Sequence, residues 1–264
     1  MRWELDTTLS VSEPIGADSQ QQAVIDLVSG RNLVVGSAGS GKTTTLIATV
    51  AQRLREGVSP SEVLVLTYGK LAVRDFREEL AGQVQSTVLP YIGTFHALAY
   101  SIVMGAGAIG PEPQAQELPR LLSGAEEDAR IRDLIAGLLS DAQGPGALIQ
   151  WPEWLRSAAT THSFAREVRT VIARLKELNQ SGTDLIALGQ ESERPEWVVA
   201  GHIAHNDAEV MALENVVDYN SLLQAAIALA PESPVVSRIS HIYIDEYQEV
   251  GPLHRQLLGA LAQR

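Results

Sequence analysis

Runs of consecutive apolar residues alternate with stretches in which apolar positions return every three or four residues near both ends of the chain, whereas the middle keeps only the second pattern. Asn32-Leu33-Val34-Val35, Val63 to Thr67, Val88 to Thr94 and Ile239 to Ile244 read as buried strands, with Pro90 placing the third at an edge or an early strand position. Between them lie helical patterns. Asp18 or Ser19 caps one from Gln20 to about Ser29, with Ala23, Val24, Leu27 and Val28 on one face, and Gly30 ends it. Others run from Thr43 to Arg55, from Leu71 to Ala81 with Lys70, Arg74 and Arg77 on the polar side, from Asp218 to Ala228, and from Pro252 to Ala262. Strand and helix in alternation, joined by short loops, predict a parallel sheet covered on both faces.

From about Tyr100 to Leu213 no strand pattern stands out. Gly105 to Pro119 is rich in Gly and Pro, and helices are expected near Glu126–Ser140, Trp151–Ala159, Phe164–Asn179 and Asp184–Gly189. The expected organisation is therefore a discontinuous α/β domain, residues 1–99 and 214–264, interrupted by an all-helical inserted subdomain over residues 100–213. On the helix Phe164–Asn179 the apolar Phe164, Val168, Val171, Leu175 and Leu178 share a face, and Arg166, Arg169, Arg174 and Lys176 lie mostly elsewhere. Those cations either contact nucleic-acid phosphates or form a solvated face. Gly105 to Asn215 holds 9 Lys and Arg against 17 Asp and Glu, which weighs against the first reading.

Composition narrows the class. The chain has 264 residues, 45% hydrophobic content and a net charge of −12, so its whole surface does not wrap nucleic acid, although a local basic groove is compatible with that charge. The absence of cysteine leaves no disulfide framework and no thiolate metal site. Neither an apolar run of membrane-spanning length nor a signal-peptide pattern is present at the start, and a soluble cytoplasmic protein is expected. His202 and His205 lack the neighbours a metal site needs.

The chemistry concentrates at Gly36-Ser37-Ala38-Gly39-Ser40-Gly41-Lys42-Thr43, which has the GxxxxGK[ST] spacing between an expected strand and an expected helix. Its glycines let backbone N–H groups point inward at the positive end of the helix, a cradle for polyphosphate that extends to Thr44. Lys42 neutralises the β- and γ-phosphates in this arrangement, and the Thr43 hydroxyl is a Mg²⁺ ligand. Asp245 and Glu246 end an apolar strand, where one carboxylate can hold Mg²⁺ and the other can orient and deprotonate a water, or either can cap the following turn. A separation of 203 positions between Lys42 and Asp245 leaves room for the insertion.

In order along the chain, these residues resemble the UvrD/PcrA/Rep-type superfamily 1 DNA helicases. Gln20, three residues before Ala23-Val24, is similar to the family's adenine-reading glutamine motif, and Gly36 to Thr43 to motif I. Leu66 to Ala72 resembles motif Ia (TFTNKAA), Gly93 to Leu98 resembles motif Ib (GTFHS), Val217 to Leu223 the DFDDLL segment, and Ile244 to Val250 motif II (VDEFQDT). The insertion falls where the family places its second subdomain. Gly69 replaces the asparagine of motif Ia, Glu249 the last aspartate of motif II, and Asn220 and Ser221 two acidic residues of the DFDDLL segment.

The resemblance implies a RecA-like P-loop fold, ATP and Mg²⁺ as cofactors, and an ATP-dependent DNA helicase or translocase of repair or recombination, moving 3′ to 5′. It implies that Gln20 reads the adenine, that Lys42, Asp245, Glu246 and Gln248 serve catalysis, with Gln248 coupling hydrolysis to DNA, and that Thr43 and Asp245 hold the metal. Tyr68, Lys70, Thr94, Phe95 and His96 would line the path of single-stranded DNA, although Tyr68 and Phe95 could equally pack between sheet and helices. Motifs III, IV and VI and the second motor domain are not in this sequence, so the chain is expected to be the N-terminal part of a longer enzyme, weakly active by itself. A RecB- or AdnA-type helicase–nuclease subunit with a partner subunit, a nucleotide-binding module that regulates a partner motor, and a small-molecule kinase are the alternatives.

Overall fold

A computed structural model describes residues 16–84, 88–107, 119–141 and 149–262. The N-terminal residues 1–15 and most of the Gly- and Pro-rich segment lie outside them. The chain packs as two compact units, one formed by Met1–Thr94 and Ile239–Tyr247, the other by Phe95–Arg238 and Gln248–Arg264.

The first unit is built on β1 (Val63–Leu66), which lies between β2 (Tyr91–Gly93) and β5 (His241–Ile244), all parallel. Leu64 pairs with Tyr91 on one side and with Ile242 on the other. A strand flanked on both sides by parallel neighbours is buried on both faces, which is why Val63-Leu64-Val65-Leu66 is apolar throughout. Helix α2 (Lys42–Arg55) and helix α3 (Lys70–Gln83) cover one face, where Ile47, Val50 and Ala51 meet Val63, Val65, Phe76, Leu80 and Ile92. Helix α1 (Ser19–Ile25) packs on α2.

Two expectations for this unit need correction. The run Asn32 to Val35 is not a strand: Leu33, Val34 and Val35 are 69, 42 and 84% exposed. A strand exists only where a neighbour supplies ladder hydrogen bonds. Among the described residues β5 pairs on one side only, and nothing pairs with residues 31–35. The first helix stops at Ile25 rather than near Ser29, leaving Leu27 and Val28 exposed.

In the second unit, α4 (Phe95–Gly107) and α11 (Pro252–Ala262) pack on α10 (Tyr219–Leu229), burying Leu98, Ile102, Leu222, Leu223, Leu253 and Leu257. The remaining helices, α5 (Gly124–Asp141), α6 (Glu153–Ala159), α7 (His162–Glu177), α8 (Gly182–Glu191) and α9 (Pro195–Leu213), share a core that includes Ile135, Trp151, Val168, Ile172, Val199 and Ile203. The expected helices of the middle region all form, and α4 and α9 are additional. Helices α8 and α9 approach until a Cβ on Gly182 would lie 2.4 Å from the Gly201 carbonyl oxygen. The stretch expected to lack strands contains β3 (Arg120–Leu121), which pairs in parallel with β4 (Val216–Val217). Two residues are too few for any apolar alternation to show. On α7 the buried set is Ala165, Val168, Ile172 and Leu175, and Leu178 lies past the helix end, 52% exposed. No helix among the described residues is long and apolar enough to cross a membrane.

Candidate functional site

The glycine-rich loop enters α2 with Gly41 as N-cap in the left-handed region (φ 77°, ψ 23°) and with no side chain capping the helix. The first amides of α2 therefore have neither carbonyl partners nor a cap, and the positive end of a 14-residue helix is open to an anion. Gly36 faces the same loop, where a Cβ would lie 2.6 Å from Ser40 Oγ and would displace that hydroxyl. Lys42 bends back across the loop, its Nζ donating to the carbonyl oxygens of Gly36 (3.0 Å) and Ser37 (2.8 Å). Ala38 and Gly39 form the exposed crest, and Thr44 is exposed on the first turn of α2.

The loop's other half comes from the end of β5. Ladder register carries Asp245 to the level just beyond Leu66, where its N–H donates to the Leu66 carbonyl (2.9 Å). Its carboxylate accepts from Thr43 Oγ1 at 3.2 and 3.1 Å, so residues 202 positions apart form one oxygen-rich corner. Glu246 follows with φ 55°, a left-handed conformation that non-glycine residues adopt at some expense and that turns the chain sharply after the strand. Its side chain is exposed, as is that of Gln248 in the short turn Tyr247–Glu249.

The remaining expected residues separate between the units. Tyr68 is half-buried and Lys70 exposed on the connection from β1 into α3, and Thr94 is half-buried where β2 ends. Gly69, between Tyr68 and Lys70, sits at φ 87°, ψ 148°, a region essentially reserved for glycine, so this departure from motif Ia matches its own backbone. In the second unit Phe95 is 1% exposed and packs on the His254 ring at a centroid distance of 4.6 Å, a buried position from which it offers no face to a base. His96 stands edge-on to Tyr219 at 4.6 Å, and partial burial lowers its pKa from the ordinary histidine value. Burial holds His254 at about 4, with the neighbouring charges of His96 and Arg255 acting in the same direction.

Of the four cations expected on α7, three are committed to carboxylates: Arg169 to Glu127 (2.7 Å), Arg174 to Glu177 (2.9 Å) and Lys176 to Asp218. Exposed Arg166 has no carboxylate partner among the described residues, so most of this face is an internal charge network. Gln20 is exposed at the start of α1, with its backbone N–H on Asp18 Oδ1 (2.8 Å). Its neighbour Gln21, which sequence reasoning passed over, is the residue that reaches the loop: Nε2 donates to the Ser40 carbonyl at 3.2 Å. Arg53 was also missed. It is 3% exposed and donates from Nη2 to the Ile25 carbonyl (2.7 Å), fixing the far end of α1 to α2.

Residues 17–264 match the sequence model of the UvrD/REP helicase N-terminal domain. Similar curated proteins include DNA helicase IV of Escherichia coli (strain K12), 25% identical over 256 residues that cover 88% of this chain and 36% of that protein. The ATP-dependent DNA helicase PcrA of Leuconostoc citreum is 24% identical over 270 residues, 94% of this chain and 31% of that protein. The PcrA of Staphylococcus aureus (strain Mu50 / ATCC 700699) is 23% identical over 261 residues, with 94 and 32% covered. The chain thus spans about a third of the length of these relatives.

Proposed function

The chain belongs to the UvrD/REP helicase N-terminal domain family, and from that premise we propose that it is the ATP-binding front part of an ATP-dependent DNA helicase or translocase. The observation that carries this reading is the 3.1 Å contact between Thr43 Oγ1 and the Asp245 carboxylate, beside an uncapped helix start. A hydroxyl and a carboxylate at this distance fit a hard divalent cation that takes its remaining ligands from phosphate and water. Mg²⁺, when bound, supplies positive charge at the β- and γ-phosphates.

The chain's own residues do the rest. The amides of Gly39 to Thr44 hold the phosphates, and Lys42 exchanges the Gly36 and Ser37 carbonyls for phosphate oxygens. Thr43 and Asp245 fix the cation. Glu246, at the sharp turn after β5, orients the attacking water and accepts its proton. Gln20 reads the adenine, and Gln248 links hydrolysis to DNA. Single-stranded DNA contacts Tyr68, Lys70, Thr94 and His96, while buried Phe95 supports the start of α4.

Residues 1–99 and 214–264 serve as the first motor domain and residues 100–213 as its subdomain. A second motor domain from outside these 264 residues supplies the arginines for the γ-phosphate, and closure of the two moves the strand 3′ to 5′ in cytoplasmic DNA repair or recombination. The test is ATP turnover by the full-length protein with and without single-stranded DNA, with Glu246→Gln as control. Stimulation by DNA that the substitution abolishes supports the reading. Nucleotide binding with turnover indifferent to DNA overturns the helicase step and leaves a nucleotide-dependent interaction module.

A further inference from the structure

We propose that Gln21 is a positioning residue of the phosphate loop, one that sets the direction of the Gly41 N–H; the proposal rests on the nucleotide-binding reading above. Gln21 occupies the third position of α1, and its amide is used at both ends. Oε1 accepts the Asp18 N–H at 3.0 Å while Nε2 donates to the Ser40 carbonyl at 3.2 Å. Because Oε1 is committed to the helix start, the amide presents its NH₂ to the loop and not its oxygen.

The consequence follows from the geometry of one peptide. The Ser40–Gly41 bond is trans, so its C=O and N–H point in opposite directions. Holding the Ser40 oxygen toward α1 turns the Gly41 N–H away from α1, and no protein acceptor receives it among the described residues. Gly41 can follow because its φ is 77°. Gln21 also lies against the loop backbone, with Nε2 at 2.8 Å from where a Gly41 Cβ would stand. At the other end of α1, Arg53 holds the Ile25 carbonyl, so the helix that carries Gln21 is tied to the loop at its start and to α2 at its end. A phosphate-binding amide is thereby oriented before any ligand arrives, and the reorientation that binding would otherwise require is avoided.

Two substitutions separate the two ends of the amide. Gln21→Glu keeps an oxygen for Asp18 N–H, and glutamate is a normal capping-box residue, but its second oxygen opposes the Ser40 carbonyl. Gln21→Lys loses the acceptor and keeps a donor within reach of Ser40. Two readouts on the 264-residue chain are needed: the position and exchange rate of the Gly41 amide resonance without ligand, and the affinity for a fluorescent ATP analogue with Mg²⁺. Gln21→Glu is expected to move the Gly41 resonance and weaken nucleotide about tenfold or more, with the thermal midpoint held, while Gln21→Lys stays within about threefold of the parent.

If Gln21→Glu leaves the Gly41 resonance in place, or if both variants lose affinity in proportion to lost stability, Gln21 is a helix cap only and the proposal fails. The resonance is read without nucleotide, so it judges the proposal even if the parent chain binds no ATP. Nucleotide binding itself is judged separately, by comparing Lys42→Ala with the parent in the full-length protein.

Discussion

Replacing Asp207 with asparagine tests how the second unit tolerates buried charge. Asp207 on α9 pairs with Arg130 on α5, with side chains 4 and 16% exposed. Burial pushes the Asp207 carboxyl above its ordinary range, only partly offset by Arg130 and Lys176. A carboxyl whose folded pKa is raised contributes stability below its unfolded pKa of about 3.9, and that contribution is lost as pH rises through the folded value. At neutral pH the ionised pair therefore gives back less than its desolvation takes. Removing one charge is nonetheless the worse change, because Arg130 Nε has no hydrogen-bond partner among the described residues and the guanidinium would keep only neutral acceptors, a side-chain amide oxygen and the 3.4 Å backbone carbonyl of position 207. Breaking a fully buried pair costs about 3–5 kcal/mol. Arg130 borders a cavity of about 380 Å³, which lets water approach, and the lower figure of about 2–3 kcal/mol is expected for Asp207→Asn. In thermal unfolding followed by helical circular dichroism, that loss lowers the midpoint by roughly 5–10 °C. Arg130→Met combined with Asp207→Leu removes both charges and should return to within about 1 kcal/mol of the parent. A single variant as stable as the parent, or a double variant no better than the single, would refute the reasoning.

Lys42→Ala should abolish binding of a fluorescent ATP analogue, whereas Thr43→Val should raise the Mg²⁺ concentration needed for half-maximal binding; equal Mg²⁺ dependence would remove Thr43 from the cation corner. Gly201→Ala places a Cβ 2.7 Å from the Gly182 carbonyl oxygen and 2.8 Å from the Ile186 nitrogen, and should cost about 3 kcal/mol in chemical unfolding. Gly259→Ala, inside α11 with nothing within 4 Å, should instead stabilise by about 0.5–1 kcal/mol, and a loss there would contradict the open space around it. Because the folded pKa of His254 is depressed, its contribution to stability is present above the unfolded value of 6.5 and is lost as pH falls toward about 4. His254→Leu should flatten the stability profile over that window, and an unchanged slope would assign the acid response elsewhere.

What could be read in the sequence was whatever local chemistry fixes by itself. The phosphate loop, Asp245 at a strand end and the Asp18 cap of α1 each have a sufficient cause within a few residues, and all three stand where the pattern puts them. Helix α11 even keeps its expected limits, because Pro252 opens it and Leu253, Leu257 and Leu261 repeat on one face. Helix α9 was invisible for the opposite reason. Its small and apolar residues run around the whole cylinder, with Gly201 serving the close approach of α8 and Ile203 the central core, so no single stripe marks it. The run Asn32 to Val35 failed differently, since an apolar tetrapeptide states a preference for burial and not the neighbour that would provide it.

The same distinction explains why Gln20 drew attention and Gln21 did not. A glutamine three residues into a helix after an aspartate is fully explained by the capping box, and the spacing offers no reason to look for a second partner. Its contact with Ser40 crosses 19 positions and depends on the path of the intervening segment, on Arg53 holding α1 down, and on a left-handed Gly41 that brings the loop backbone within reach. A residue with one satisfied local role can therefore carry a second that only the fold reveals. In this site, that second role falls on the peptide whose N–H a phosphate would meet.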